Sequence, residues 1–251
     1  MFIAPCNKFP KQTSYPVDTW SYSVTVADVN GDSKSDIIAT SSGTGKLSVF
    51  LNNGNGTFAD RVTYGTGNQP QFAVAADVNG DNKLDIIVAN LWGNSVSVFL
   101  NKGNGTFASQ AMYPAMIAPI SVTAGDVNGD NKLDIIVANY GSHNVGVLLN
   151  NGIGIFTSQV TYSTGISPYS VTTADINGDS KLDLVVANAG SNYISVLRGN
   201  GNGTFAAQVT YSTVSSSSMV VATDVNGDSL VDIIFMSTSS NSVGVLLAAC
   251  N

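Results

Sequence analysis

The chain contains no glutamate. It also has a single histidine, two cysteines and two tryptophans, and only 11% of its 251 residues are charged. Each shortage excludes something. Fifteen of the 17 acidic residues, all aspartates, fall in five copies of one motif, so only Asp18 and Asp60 are left for a carboxylate-pair hydrolase. His143 alone cannot furnish the base of a triad and a second general acid. An all-helical fold loses its commonest acidic helix former. No apolar run approaches the ~18 residues that a membrane-spanning helix needs. Ten basic residues against 17 acidic give a formal charge of −7, which repels phosphate backbones, so nucleic acid is not expected as a partner. An apolar fraction of 43% with few charges is that of a soluble folded chain rather than a disordered one.

What the chain does have is a period. Asp28, Asp77, Asp126, Asp175 and Asp224 recur every 49 residues. Phe9, Phe58, Phe107, Phe156 and Phe205 keep the same step, as do Tyr15, Tyr64, Tyr113, Tyr162 and Tyr211. Five such units occupy nearly the whole chain and leave no room for a separate catalytic domain, so residues 1–251 are read as one domain. One unit, from Gln71 to Tyr113, holds four short β-type segments separated by turn residues such as Gly93-Asn94 and Asn104-Gly105. A four-stranded antiparallel unit repeated in series predicts an all-β fold, a five-bladed β-propeller.

The ends predict how the ring shuts. Phe9 to Tyr15 matches the fourth strand of a unit, whereas the last unit supplies three strands and stops, so the N-terminal strand is expected to complete the last blade. Cys6 and Cys250 fall at neighbouring positions of the repeat, in the turn that the chain ends interrupt. A Cys6–Cys250 disulfide is expected there, stabilising by up to about 5 kcal/mol in the chain-entropy model. The alternative is two unpaired thiols.

The motif reads DVNGDSKSD from Asp28, DVNGDNKLD from Asp77 and Asp126, DINGDSKLD from Asp175 and DVNGDSLVD from Asp224. Oxygen side chains stand at positions 1, 3, 5 and 9, with Gly at 4. With a backbone carbonyl from position 7 they suit the oxygen sphere of Ca²⁺. No copy contains Cys or His, which excludes zinc and softer metals, and a flexible all-protein cage suits Mg²⁺ poorly. Three carboxylates in nine residues repel one another, and five Ca²⁺ ions would add ten positive charges to the formal −7. The competing reading is a polar Asx-type turn. An EF-hand is excluded, because position 12 is Ala39 in the first copy and the flanks are β-patterned.

These D-x-N-G-D-x-x-x-D loops, together with Gly56-Thr57-Phe58, Gly105-Thr106-Phe107 and Gly203-Thr204-Phe205, resemble the FG-GAP (VCBS-type) repeat family over residues 9 to 247. Propellers of integrin α-subunits, fungal propeller lectins and bacterial surface proteins carry such repeats. The resemblance implies that each loop joins the first two strands of a blade and holds a structural Ca²⁺. The implied ligands of the first loop are Asp28, Asn30, Asp32, the Lys34 carbonyl and Asp36. One period on they are Asp77, Asn79, Asp81, Lys83 and Asp85, then Asp126, Asn128, Asp130, Lys132 and Asp134. The last two sets are Asp175, Asn177, Asp179, Lys181 and Asp183, and Asp224, Asn226, Asp228, Leu230 and Asp232. The family often has Gly at position 6, where this chain has Ser33, Asn82, Asn131, Ser180 and Ser229.

Trp20, Trp92, Tyr140, Tyr169 and Tyr193 break the repeat, which makes them candidate ligand-binding residues, although drift in tolerant loops is the better-favoured explanation. The repeated tyrosines are read as packing elements, and His143 as a solvated turn residue. Asn55-Gly56-Thr57 and its repeats match a glycosylation pattern that the hairpin turn already accounts for. The expectation is a non-catalytic, calcium-stabilised recognition module, lectin-like as the resemblance implies and binding glycans. A scaffold or adhesion module binding a protein surface is the alternative, and a polysaccharide-active enzyme stands third. The disulfide and the calcium loops point to a secreted, extracellular protein, although no signal peptide is visible at Met1–Pro10. The chain is expected to be a monomer.

Overall fold

The computed structural model describes residues 12–249. Among them there is no helix, and the strands form five antiparallel sheets. The first sheet runs β1 (Ser21–Ala27), β2 (Asp36–Ser41), β3 (Lys46–Phe50) and β4 (Val62–Gly65), in that spatial order. The second contains β5 (Pro70–Ala76), β6 (Asp85–Asn90), β7 (Ser95–Phe99) and β8 (Ala111–Pro114). The third contains β9 (Pro119–Gly125), β10 (Asp134–Asn139), β11 (Asn144–Leu148) and β12 (Val160–Ser163). The fourth contains β13 (Pro168–Ala174), β14 (Asp183–Asn188), β15 (Tyr193–Leu197) and β16 (Val209–Ser212). The fifth has three strands, β17 (Ser217–Thr223), β18 (Asp232–Ser237) and β19 (Ser242–Leu246). Each is an up-and-down meander, the blade unit that the period predicts.

Burial follows position within the blade. The second strand, as in Asp85–Asn90, is buried at every residue and reads as a β-branched run, because neighbouring blades cover both of its faces. The fourth strand is mostly exposed, with only its tyrosine half-buried in β4, β8 and β12. The cores lie between blades. Ile38, Leu47 and Val49 of the first blade cluster with Ala73, Ile86, Val88 and Phe99 of the second. The same pairing joins the second blade to the third, the third to the fourth and the fourth to the fifth. The first strands of all five sheets line one central cavity of about 480 Å³.

The repeated aromatics join blades as well. Tyr15 meets Phe58, Tyr64 meets Phe107 and Tyr162 meets Phe205 edge to face, with centroids 5.3–5.5 Å apart. They are therefore packing elements, and their hydroxyls bond the backbone of the next blade. Phe58 N donates to Tyr15 Oη at 3.1 Å, and Tyr162 Oη donates to the Gly203 carbonyl at 3.4 Å.

The expected closure of the last blade is not seen. Residues 9–11 of the proposed closing strand, with Cys6 and Cys250, lie outside the described residues. The described remainder, Gln12–Tyr15, forms no strand with β19. Tyr15 instead keeps its place against Phe58 and Phe50 of the first blade.

Candidate functional site

Every Asp motif connects the first and second strands of a sheet, at the same end of each blade. The turn is possible because Gly at position 4 takes φ between +75° and +82° in all five copies, a region L side chains avoid. Position 6 is also left-handed, with Ser33, Asn82 and Asn131 at φ 62°, Ser180 at 64° and Ser229 at 68°. This explains why relatives favour Gly there.

Inside the first loop Asp28 Oδ1 accepts from Gly31 N at 2.8 Å and Oδ2 accepts from Ser33 N at 2.7 Å. Asn30 Oδ1 accepts from Asp32 N, and Asp32 Oδ1 from Lys34 N, both at 3.0 Å. Position 9 is different. Asp36 is fully buried, with Oδ2 accepting from Val29 N at 2.9 Å and Oδ1 from Asn52 N at 2.8 Å. Asp85, Asp134, Asp183 and Asp232 repeat this arrangement, so the last aspartate ties its loop to the exit of the third strand.

The lysine at position 7 was assigned only a carbonyl. Its ammonium pairs with the position 5 aspartate, at 3.2 Å for Lys34–Asp32 and Lys83–Asp81, 3.3 Å for Lys132–Asp130 and 3.9 Å for Lys181–Asp179. Leu230 cannot do this, and Asp228 Oδ2 accepts from Asn226 Nδ2 at 2.9 Å instead. For Asp32 and Asp81, desolvation pushes the carboxyl up, but the bonds from Lys34 and Lys83 outweigh it and hold both below the ordinary value. Burial raises Asp85 against the pull of the Asn101 and Val78 amides, and the Asp81 and Asp77 carboxylates add to the rise. Asp134 and Asp183 are raised in the same way.

These observations test the loops as calcium sites. Among the described residues no three such side chains are gathered as an ion would gather them, since the loop amides and the lysine hold the oxygens. The donor chemistry nevertheless fits. Each loop offers three carboxylates and an amide oxygen, and an oxygen accepting one N–H keeps a second lone pair. The mutual repulsion of Asp77, Asp81 and Asp85 is what a divalent cation relieves.

Of the five pattern-breaking aromatics, the structure brings two together. Tyr140, in the β10–β11 turn, stands edge to face with Tyr169 of β13 at 6.1 Å. The Tyr169 hydroxyl bonds that of Tyr22 across the channel, and desolvation with this bond pushes the Tyr22 phenol up. Tyr22 was not singled out from sequence; only its place one period multiple from Tyr169 pointed to it. Trp20 and Trp92 are exposed and enter no aromatic pair among the described residues. Tyr193 is half-buried at the start of β15, where its carbonyl accepts from Asn188 Nδ2 at 3.1 Å. His143, at φ 55°, accepts Ser167 N on Nδ1 at 3.0 Å, as Asn94 accepts Ala118 N at 2.9 Å one blade earlier.

Crevices recur between the outer strands. One of about 280 Å³ lies among Tyr113, Met116, Phe156 and Gln159. Its counterpart 49 residues on, about 370 Å³, lies among Tyr162, Ser163, Phe205 and Gln208.

Comparison with known proteins agrees on the fold. No curated protein sequence matches the chain. A lectin from Agrocybe aegerita that recognises non-reducing terminal N-acetylglucosamine shares the fold at TM-score 0.60 and 23% identity, over 86% of this chain and 60% of its own. This chain therefore spans less than two thirds of that lectin's length. BBS1N, solved in complex with ARL6DN, matches at TM-score 0.61 and 12% identity over 93% of this chain and 70% of its own. Virginiamycin B lyase from Staphylococcus aureus matches at 0.63 and 14%, over 96% and 69%. The FG-GAP-like repeat model matches residues 28–88, 77–137, 126–186 and 175–235. With the repeat running through most of its length and a propeller blade built on each copy, the chain belongs to the FG-GAP-like repeat family.

Proposed function

We propose that this chain is a non-catalytic recognition module whose loops hold calcium and whose inter-blade crevices bind carbohydrate. The observation that carries the reading is the repetition of one crevice. Tyr113 and Tyr162, Phe156 and Phe205, and Gln159 and Gln208 supply an aromatic wall and an amide at equivalent positions. Aromatic faces against the apolar side of a sugar, with polar groups at the rim, are the chemistry of carbohydrate sites. Several similar crevices favour weak repeated binding strengthened by avidity. The fold shared with a glycan-binding lectin supports this choice of ligand class. Asp28, Asn30, Asp32, the Lys34 carbonyl and Asp36, with their counterparts in the other four loops, would hold the ions. Bound Ca²⁺ neutralises the carboxylates and fixes the turn between the first two strands.

A glycan array in millimolar calcium tests the sugar reading, followed by calorimetry on Gln208→Ala and Ser163→Ala, both of which line the crevice without belonging to its packed core. Binding that weakens in both supports it; silence across the array overturns it. The second reading, a scaffold for a protein surface, draws on the exposed indoles of Trp20 and Trp92 and on the fold shared with BBS1N, solved with a protein partner. An enzyme is not proposed, because His143 spends Nδ1 on the Ser167 amide.

A further inference from the structure

Eleven asparagines of this chain are followed by glycine, the residue whose main-chain amide is least hindered in attacking the preceding side-chain carboxamide. The fold ties down nearly all of these pairs. In the five Asp loops the glycine amide donates to the position 1 aspartate at 2.7–2.8 Å. In the hairpins between third and fourth strands, Asn55, Asn104 and Asn202 each accept on Oδ1 both the amide and the hydroxyl of the threonine two residues on. Two residues earlier in the hairpin, Gly54 N donates to Asn52 Oδ1 at 2.9 Å and Gly152 N to Asn150 Oδ1 at 2.8 Å.

The fourth blade keeps the pair at that earlier position, Asn200-Gly201, but loses its lock. Gly199 stands where Asn52, Asn101 and Asn150 stand in the other blades, and a Cβ on Gly199 would run into the Leu182 carbonyl. Asn200 is exposed. Its Nδ2 donates to Thr204 Oγ1 at 2.8 Å, and because that hydroxyl gives its proton to Asn202 Oδ1 at 2.6 Å, the orientation of the Asn200 amide is fixed. Asn53 makes the same contact with Thr57, so the two sites differ chiefly in the glycine lock. Among the described residues, Asn200-Gly201 is the pair in which neither the glycine amide nor the asparagine oxygen has a partner.

We propose that Asn200 is a site of spontaneous modification, at which the Gly201 amide nitrogen closes on the Asn200 side chain and asparagine becomes aspartate or isoaspartate. Solvent hydroxide removes the Gly201 amide proton, the nitrogen bonds to Asn200 Cγ, and the Cγ–Nδ2 bond breaks as ammonia leaves with a proton from water. Water then opens the cyclic imide at either carbonyl, so the balance is one water consumed and one ammonia released. A glycine amide that donates to Asn52 or Asn150 must first give up that bond, which slows the attack about fivefold. The product adds a carboxylate to a hairpin against which the Lys181 side chain of the fourth Asp loop lies.

The test is to age the full chain in mildly alkaline calcium buffer and follow each asparagine by peptide mass, with fragmentation telling isoaspartate from aspartate. Asn200 is expected to convert about fivefold faster than Asn53 and Asn151. Asn52→Ala removes the lock in the first blade and is expected to bring Asn53 to the rate of Asn200 while leaving Asn200 unchanged. Ageing in urea is expected to erase the difference between the sites, because the lock exists only in the folded chain. Equal rates in the folded chain, an Asn53 unmoved by Asn52→Ala, or a ranking that survives in urea each overturn the proposal. Should Asn52→Ala fail to fold, the folded and urea-treated wild type decide it between them. None of these readouts depends on sugar binding.

Discussion

Tyr113 and Phe156 meet edge to face with ring centroids 5.3 Å apart, across the boundary between the second and third blades, and the tyrosine hydroxyl donates to the Gly154 carbonyl at 3.1 Å. One pair thus supplies ring packing and a directional bond between blades. Phe156→Ala should cost about 3–5 kcal/mol, the range for truncating a buried aromatic. Tyr113→Phe keeps the ring and should cost only about 0.5–1.5 kcal/mol. Urea denaturation of both variants checks the ordering, and equal losses would contradict it.

Asp134 is a second joint, with one oxygen on Val127 N at 3.1 Å and the other on Asn150 N at 2.8 Å. Asp134→Asn turns an acceptor into a donor facing an amide, and a buried donor left unsatisfied costs about 1–3 kcal/mol. The loss should appear with calcium and with chelator alike, because the two backbone bonds do not require an ion. Thermal melts in both conditions decide this.

Ser180, held at φ 64°, carries the strain of a left-handed L residue. Ser180→Gly should stabilise by roughly 0.5–1 kcal/mol, the left-handed penalty less the added entropy of the unfolded glycine. A fall in melting temperature for this variant would argue against the geometry of position 6.

Chelation should lower the melting temperature, since an ion bound only by the folded state stabilises it by mass action. Lys83 competes for Asp81, so Lys83→Met should raise the calcium affinity of the second loop by removing a 3.2 Å ammonium contact. Calorimetric titration of wild type and variant tests this. An unchanged melt in excess chelator would defeat the calcium reading altogether.

Asp18 anchors the segment leading into the first blade. It accepts from Arg61 Nη2 at 2.6 Å, with Thr44 Oγ1 at 3.2 Å and Lys46 Nζ at 3.3 Å. The Arg61 bond, against desolvation, holds its carboxyl below the ordinary aspartate range. A depressed carboxylate contributes stability that is complete above its unfolded value and disappears as pH falls through the folded one. Asp18→Asn should therefore speed amide exchange at residues 12–20 at neutral pH, and the difference from wild type should shrink below pH 4. A difference independent of pH would remove the ion pair from the explanation.

Much of this was legible in sequence because the period is rigid. The 49-residue step placed the strands and marked the tyrosines as packing elements, and the family resemblance placed the Asp loops between the first two strands; that the tyrosines pack and bond between blades was not legible. Asn101 was not read, although its counterparts Asn52 and Asn150 keep the period. Its Nδ2 donates to the carbonyls of Val29 and Leu84, both at 2.8 Å, clamping the first blade to the second. Asn150 clamps the second to the third through Val78 at 2.7 Å. Asparagine in an Asn-Gly-rich stretch signals a turn so strongly that a second role is hidden. His143 was read as solvated, yet it replaces an asparagine acceptor, which its register with Asn94 could have shown. The Lys–Asp pairs escaped notice because position 7 is defined by its carbonyl, and a side chain two residues from a carboxylate does not declare its direction. The repeat register predicted that the N-terminal strand completes the last blade, and the described residues 12–15 do not form that strand.

Each hydrophobic cluster is shared between two adjoining sheets, so no sheet owns its core. Among the described residues an interior sheet is clasped from both sides, while the first sheet and the three strands of the last are each clasped from one. Under tension or mild denaturant these outer sheets should loosen before the interior ones. The weakest link is therefore geographical, set by place in the row and not by the composition of any unit.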